Sequence, residues 1–145
     1  MRGFILLVFL FPALAFAREA VIDPYQYQRD QGFSDALLSC EDQTGTENVF
    51  VAFKCKGEVR KKYKTDVPKR GSDEYAAQHY SGLTKAQGEE KIKELQAMQQ
   101  KARENVRRED LQPGEVVAED FLAEKWWIME HVLGLDPQRT YIRYN

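Results

Sequence analysis

Residues 48–67 read NVFVAFKCKGEVRKKYKTDV, and the period assigned to them decides the fold. In an extended chain Val49, Val51, Phe53, Cys55, Val59, Tyr63 and Val67 share one face. Lys54, Lys56, Glu58, Arg60, Lys62 and Lys64 share the other. Alternation of β-branched and aromatic residues with charged ones predicts a strand. Gly57 then marks a bulge or the break between two strands. Upstream, DALLSC (35–40) is a shorter strand or the end of a helix. EDQTGTEN (41–48) supplies turn chemistry between them, with Gly45 and Asn48 as the positions for positive φ.

This stretch carries both cysteines of the chain, Cys40 and Cys55. A dithiol redox site needs Cys-x-x-Cys so that one thiol reaches the other, and this spacing is far wider. A structural zinc needs four ligands. Only His79 and His131 remain, and neither stands at a ligand spacing from a cysteine. In an oxidising compartment the pair is predicted to form a disulfide that staples the hairpin. Closing such a loop contributes roughly 3 kcal/mol by restricting the unfolded chain. No cofactor and no metal is expected.

From Lys54 to Arg70 eight basic residues face two acids, Glu58 and Asp66, in a chain whose net charge is −2. Such asymmetry marks an interaction face. The plainer reading is a solvated strand edge whose lysines discourage edge-to-edge pairing. The sharper one is a docking surface for an anionic or acidic partner, with Lys54, Lys56, Arg60, Lys62 and Lys64 as contact residues. Nucleic acid is disfavoured, because Tyr63 and Tyr75 are the only aromatics near for stacking.

The first residues, MRGFILLVFLFPALAFA, join a positive Arg2, an apolar run and the small-x-small triplet Ala15-Phe16-Ala17. They predict a secretory leader, residues 1–17, cut after Ala17. The rival is a membrane anchor, but a spanning helix needs about 20 apolar residues, and Pro12 interrupts this run. No later segment is apolar enough to span. The remainder, 18–145, has the size of one small domain, secreted or periplasmic. No Asn-x-Ser/Thr acceptor is present.

Beyond Pro68 and Gly71 the pattern turns helical. Ser72 is placed to cap a short helical turn through Tyr80, ended by Gly82. Thr84 is placed to cap a longer helix, Lys85 to about Leu111. Ile92, Leu95, Met98, Ala102 and Val106 form one thin stripe along it. Core packing is its ordinary use; self-association through 92–106 is the alternative. Pro113 and Gly114 break the chain. A second, more apolar helix follows, Glu115 to Leu133, with Gly134 as its C′ residue. Phe121, Trp126, Ile128, Met129 and Val132 lie on its core stripe, and Trp127 falls off it as a bordering interface anchor. Residues 139–144 alternate and predict a final strand.

The two histidines stand apart, and no Gly-rich phosphate loop, nucleophile elbow or zinc-helix motif occurs. No convergent acid, base and nucleophile can be picked out. No motif matches a family closely enough to carry a residue role over.

These readings define one α+β domain. A disulfide-tied antiparallel sheet or hairpin (34–67) packs with two long helices in the 72–134 region. Its expected work is non-enzymatic binding through the basic strand face. A subunit of an envelope or secretion assembly, or a small hydrolase with an unrecognised carboxylate site, are the alternatives.

Overall fold

The computed structural model describes residues 18–44 and 48–137. Five α-helices dominate the described residues: α1 (Pro24–Thr44), α2 (Val49–Thr65), α3 (Asp73–Tyr80), α4 (Lys85–Lys101) and α5 (Ala118–His131). Two short strands, β1 (Val21–Ile22) and β2 (Glu115–Val116), pair antiparallel with Val21 opposite Val116 and Ile22 opposite Glu115. The expected disulfide-tied sheet is therefore wrong. The described part of 34–67 lies in two helices, α1 and α2, and the fold is mostly helical. The leader and the expected strand at 139–144 lie outside the described residues.

Helix α1 begins where Asp23 precedes Pro24. Pro24 occupies the first helical position, which needs no N–H, and the Asp23 carboxylate accepts from the Gln26 N–H at 2.9 Å. Helix α2 runs back along α1. Ala52, Cys55, Val59 and Tyr63 recur every three or four residues, a helical row, and all four are half-buried. Phe33 and Tyr63 pack with ring centroids 5.2 Å apart, and the Arg29 guanidinium lies 4.9 Å above the Phe33 ring. No residue of α2 is fully buried. Toward the loop, the hairpin is held by the Cys40–Cys55 disulfide, with Cα atoms 5.8 Å apart, and by the Lys56–Glu41 ion pair.

The core belongs to the other three helices. Phe121, Ile128, Leu95, Ile92, Tyr75, Ala76 and Tyr80 are buried together with Val116 of β2. Each large side chain there contributes about 1.5–3 kcal/mol by leaving water. The caps expected at Ser72 and Thr84 are present. The Ser72 hydroxyl accepts from Tyr75 N–H, and Thr84 forms a reciprocal capping box with Gln87. Gly88 lets α4 approach α5, since a Cβ there would stand 3.0 Å from Val132 Cγ1. The 92–106 stripe is used within the chain: Ile92, Leu95 and Ala102 are buried.

Helix α4 is shorter than expected, ending at Lys101 rather than Leu111. Ala102 turns into the core, and Arg103 swings to the fully buried carboxylate of Glu115, with Nε 2.6 Å from Oε1. Those two anchors pull the chain off the helical path. It returns through a 3₁₀ turn (Arg108–Asp110) to β2.

A buried polar joint holds the root of the hairpin to this body. Arg70 and Glu124 are both buried and form two hydrogen bonds, Nε to Oε1 at 3.0 Å and Nη2 to Oε2 at 2.7 Å. Arg70 Nη1 reaches Asp23 Oδ2 at 3.0 Å, and its backbone N–H donates to Gln26 Oε1 at 3.0 Å. Tyr80 OH and Gly71 N–H also donate to Glu124, at 2.5 and 3.1 Å. Gly71 has φ +80°, and a Cβ there would lie 2.7 Å from the Asp120 backbone, so the loop accepts only glycine without a shift. Arg70 is thus interior, not part of the outward basic face it was expected to join.

Candidate functional site

Helix geometry redistributes the basic residues of 54–64. At 3.6 residues per turn, Phe50, Lys54, Gly57, Lys61 and Lys64 fall on one row facing away from α1, and all are exposed. Phe53 and Arg60 flank that row. Lys56 turns toward α1 and pairs with Glu41, while Lys64 pairs with Glu74 of α3 at 3.3 Å. Lys62 lies on the far flank. The residues expected to share a strand face therefore do not act as one set. Lys54, Arg60, Lys61 and Lys62 have no ion-pair partner among the described residues, whereas Lys56 and Lys64 do. Lys61 belongs to the surface and was not singled out from the strand pattern.

The apolar part of this surface was missed as well. Val49, Phe50 and Phe53 are 74%, 87% and 73% exposed at the start of α2. Leu38, near the end of α1, is exposed as well. The signal was present in the sequence. Residues 49–53 are five consecutive apolar residues, and on a helix such a run points in every direction. One neighbouring helix covers a single face of it, which leaves two large aromatic side chains in water.

Trp127 is not part of this surface and is not the exposed tryptophan of the pair. It packs partly buried against the core, stacked on His131 with centroids 4.4 Å apart, and Trp126 is the exposed one. The two tryptophans line a cleft of about 590 Å³ with Asp73, Ala123, Glu130 and His131. A second cleft of about 300 Å³ meets Arg70, Tyr75, His79, Tyr80 and Lys91.

The polar groups of the second cleft are engaged with the fold. Burial raises the pKa of Tyr80, reinforced by the charge and hydrogen bond of Glu124. Burial likewise pushes Tyr75 up to about 12, with Arg70 opposing it and Glu124 and Asp23 adding to it. Both phenols stay protonated near neutrality, and the Tyr80 OH donates to Glu124. Each histidine donates Nδ1–H to the carbonyl one helical turn back, His79 to Tyr75 at 2.9 Å and His131 to Trp127 at 3.1 Å. Among the described residues no group of three His, Cys, Asp or Glu is arranged for a metal. No described helix is long and apolar enough to cross a membrane.

The chain has no significant match to a protein-family model, to a curated protein or to a solved structure. The α2 surface is thus defined by its own chemistry: cations without an ion-pair partner among the described residues, and exposed aromatics, on one helix linked to its neighbour by a disulfide.

Proposed function

We propose that this protein is an exported, non-enzymatic binding protein that engages an anionic or acidic partner through the exposed face of α2. The observation that carries this reading is the set Lys54, Arg60 and Lys61 on the outward side of α2, with Lys62 on the far flank. Four cations lie within nine residues, and none has an ion-pair partner among the described residues. A fold that needed them only for its own stability would pair them, as it pairs Lys56, Lys69 and Arg70. Exposed cations grouped on one helix raise the local concentration of an anionic partner and steer its approach. The leader and the disulfide support export.

Crosslinking capture from the native envelope tests the reading. Wild type and the Lys54→Glu, Arg60→Glu, Lys61→Glu, Lys62→Glu variant are compared at equal folded concentration. The wild type retains a partner that the variant loses, while both melt at the same temperature. Equal capture by both ends the proposal. The exposed Phe50 and Phe53 favour a second reading, a subunit of an envelope or secretion assembly that buries this tip against another protein. In that case Phe50→Ser abolishes assembly and the charge reversals change only its rate.

A further inference from the structure

We infer that the anionic partner is a lipid bilayer, with α2 lying on its surface so that Phe50 and Phe53 enter the headgroup–acyl boundary and Lys54, Arg60 and Lys61 meet lipid phosphates. This rests on the reading of α2 as the binding face. Three observations select a membrane over a folded protein.

The first is the arrangement of side chains along one helix. Aromatic residues occupy the first turn and cations follow on the same outward side: Phe50, Phe53, Lys54, Arg60 and Lys61. An interfacial helix places apolar side chains about 5–10 Å into the boundary and keeps Lys and Arg at headgroup level. Lys54 is one turn behind Phe50, about 6 Å along the axis. The lysine stem is long enough to keep its ammonium in the phosphate layer while its methylenes follow the ring inward.

The second is charge division within the hairpin. Helix α2 carries six basic residues and one acid; α1 carries one basic residue and four acids. The two helices lie side by side, so the hairpin has a basic side and an acidic side. An anionic surface orients it with α2 down, and each cation near such a surface adds to the attraction. The third is topography. Neither cleft described above includes a residue of α2. Exposed aromatics on the outer side of a helix need a partner that moulds around them, and a bilayer does so. Backbone groups already paired within the helix cross the boundary without the cost of unsatisfied N–H and C=O.

Co-sedimentation of the purified protein with vesicles tests this. One set is phosphatidylcholine alone; the other mixes phosphatidylcholine with phosphatidylglycerol. The wild type pellets with the anionic vesicles and remains in solution with the neutral ones. Phe50→Ser with Phe53→Ser lowers the bound fraction by about ten-fold or more. Lys54→Glu with Arg60→Glu and Lys61→Glu does so as well. These side chains are exposed, and unchanged melting curves verify that the variants fold. Equal pelleting with neutral and anionic vesicles, or by either variant and the wild type, overturns the inference. Wild type that ignores anionic vesicles yet captures an acidic protein through the same cations overturns the lipid partner and leaves the binding face standing. Loss of both overturns both.

Discussion

The Glu124 carboxylate holds the Arg70 guanidinium through two hydrogen bonds, 3.0 and 2.7 Å long, with the carboxylate wholly removed from solvent. Burial alone works against the Arg70 charge. The hydrogen bonds and negative charge of Glu124 outweigh it, so the guanidinium pKa is raised. The pair joins the hairpin root, the 66–72 loop, α3 and α5.

Removing one partner leaves the other charged and buried. Glu124→Ala strands Arg70 with Asp23 alone and also takes the acceptor from Tyr80 OH and Gly71 N–H. The expected loss is about 3–5 kcal/mol in a denaturant titration. Replacing both residues, Arg70→Met with Glu124→Leu, costs less than the single change, because no unpaired charge remains. A single variant as stable as wild type would show that the joint contributes nothing.

The disulfide matters most where packing is thinnest. Helix α2 has no fully buried residue, so its hold on α1 depends on half-buried side chains and the Cys40–Cys55 link. Reduction, or Cys40→Ser with Cys55→Ser, removes a constraint worth about 3 kcal/mol. Hydrogen exchange is expected to rise in 49–62 well before it rises in α4 and α5. Uniform loss of protection across all helices contradicts this, and two free thiols by mass spectrometry in the native protein remove its premise.

The turn to a helix at 49–65 was legible in part. Apolar–polar alternation is confined to Phe53–Lys56, because 49–53 are apolar throughout. From Cys55 the apolar residues are Val59 and Tyr63, four apart each time, which is a helical spacing. The intervening lysines, arginine and glutamate are good helix formers. Val49, Val51, Phe53 and Cys55 suggest a strand only if the apolar Phe50 and Ala52 between them are passed over. Ser72 and Thr84 were legible because capping is local, and the disulfide because cysteine number and compartment restrict the choices. The Arg70–Glu124 pair was not, since its members are 54 residues apart and each looks like a surface charge. The same pair explains the reversed tryptophans. The buried face of α5 runs through Phe121, Glu124, Lys125, Ile128 and Met129. Counting only apolar residues skips Glu124 and Lys125 and rotates the stripe onto Trp126.

Acid should loosen the 102–117 connection. Burial of Glu115 opposes its charge, but the Arg103 hydrogen bonds, the Gln112 N–H and the Arg103 charge prevail and lower its pKa. A carboxylate with a depressed folded pKa adds stability above its unfolded value, about 4.3, and loses it as pH falls through the folded pKa. Asp120 has the opposite sign. Burial raises its pKa against the pull of Lys69, so its contribution is full at low pH and fades as pH rises through the folded value. Urea midpoints measured from pH 6 to pH 2.5 should fall on the acid side, and Glu115→Gln should flatten that fall. An unchanged slope in the variant would assign the acid limb elsewhere.

Paired and unpaired cations on α2 should answer differently to reversal. Lys56 is committed to Glu41 in the hairpin, so Lys56→Glu sets two carboxylates against each other and lowers the thermal midpoint. Lys61 faces solvent among like charges with no ion-pair partner among the described residues. Lys61→Glu relieves repulsion with Lys54 and Lys64, which stand on the same row, and leaves the midpoint unchanged or higher. The expected difference between the two variants is of order 0.5 kcal/mol at low salt. It should shrink in 1 M salt, where the screening length is about 3 Å. Equal destabilisation by both would mean that Lys61 has a structural role, and the surface left for a partner would reduce to Lys54, Arg60 and Lys62.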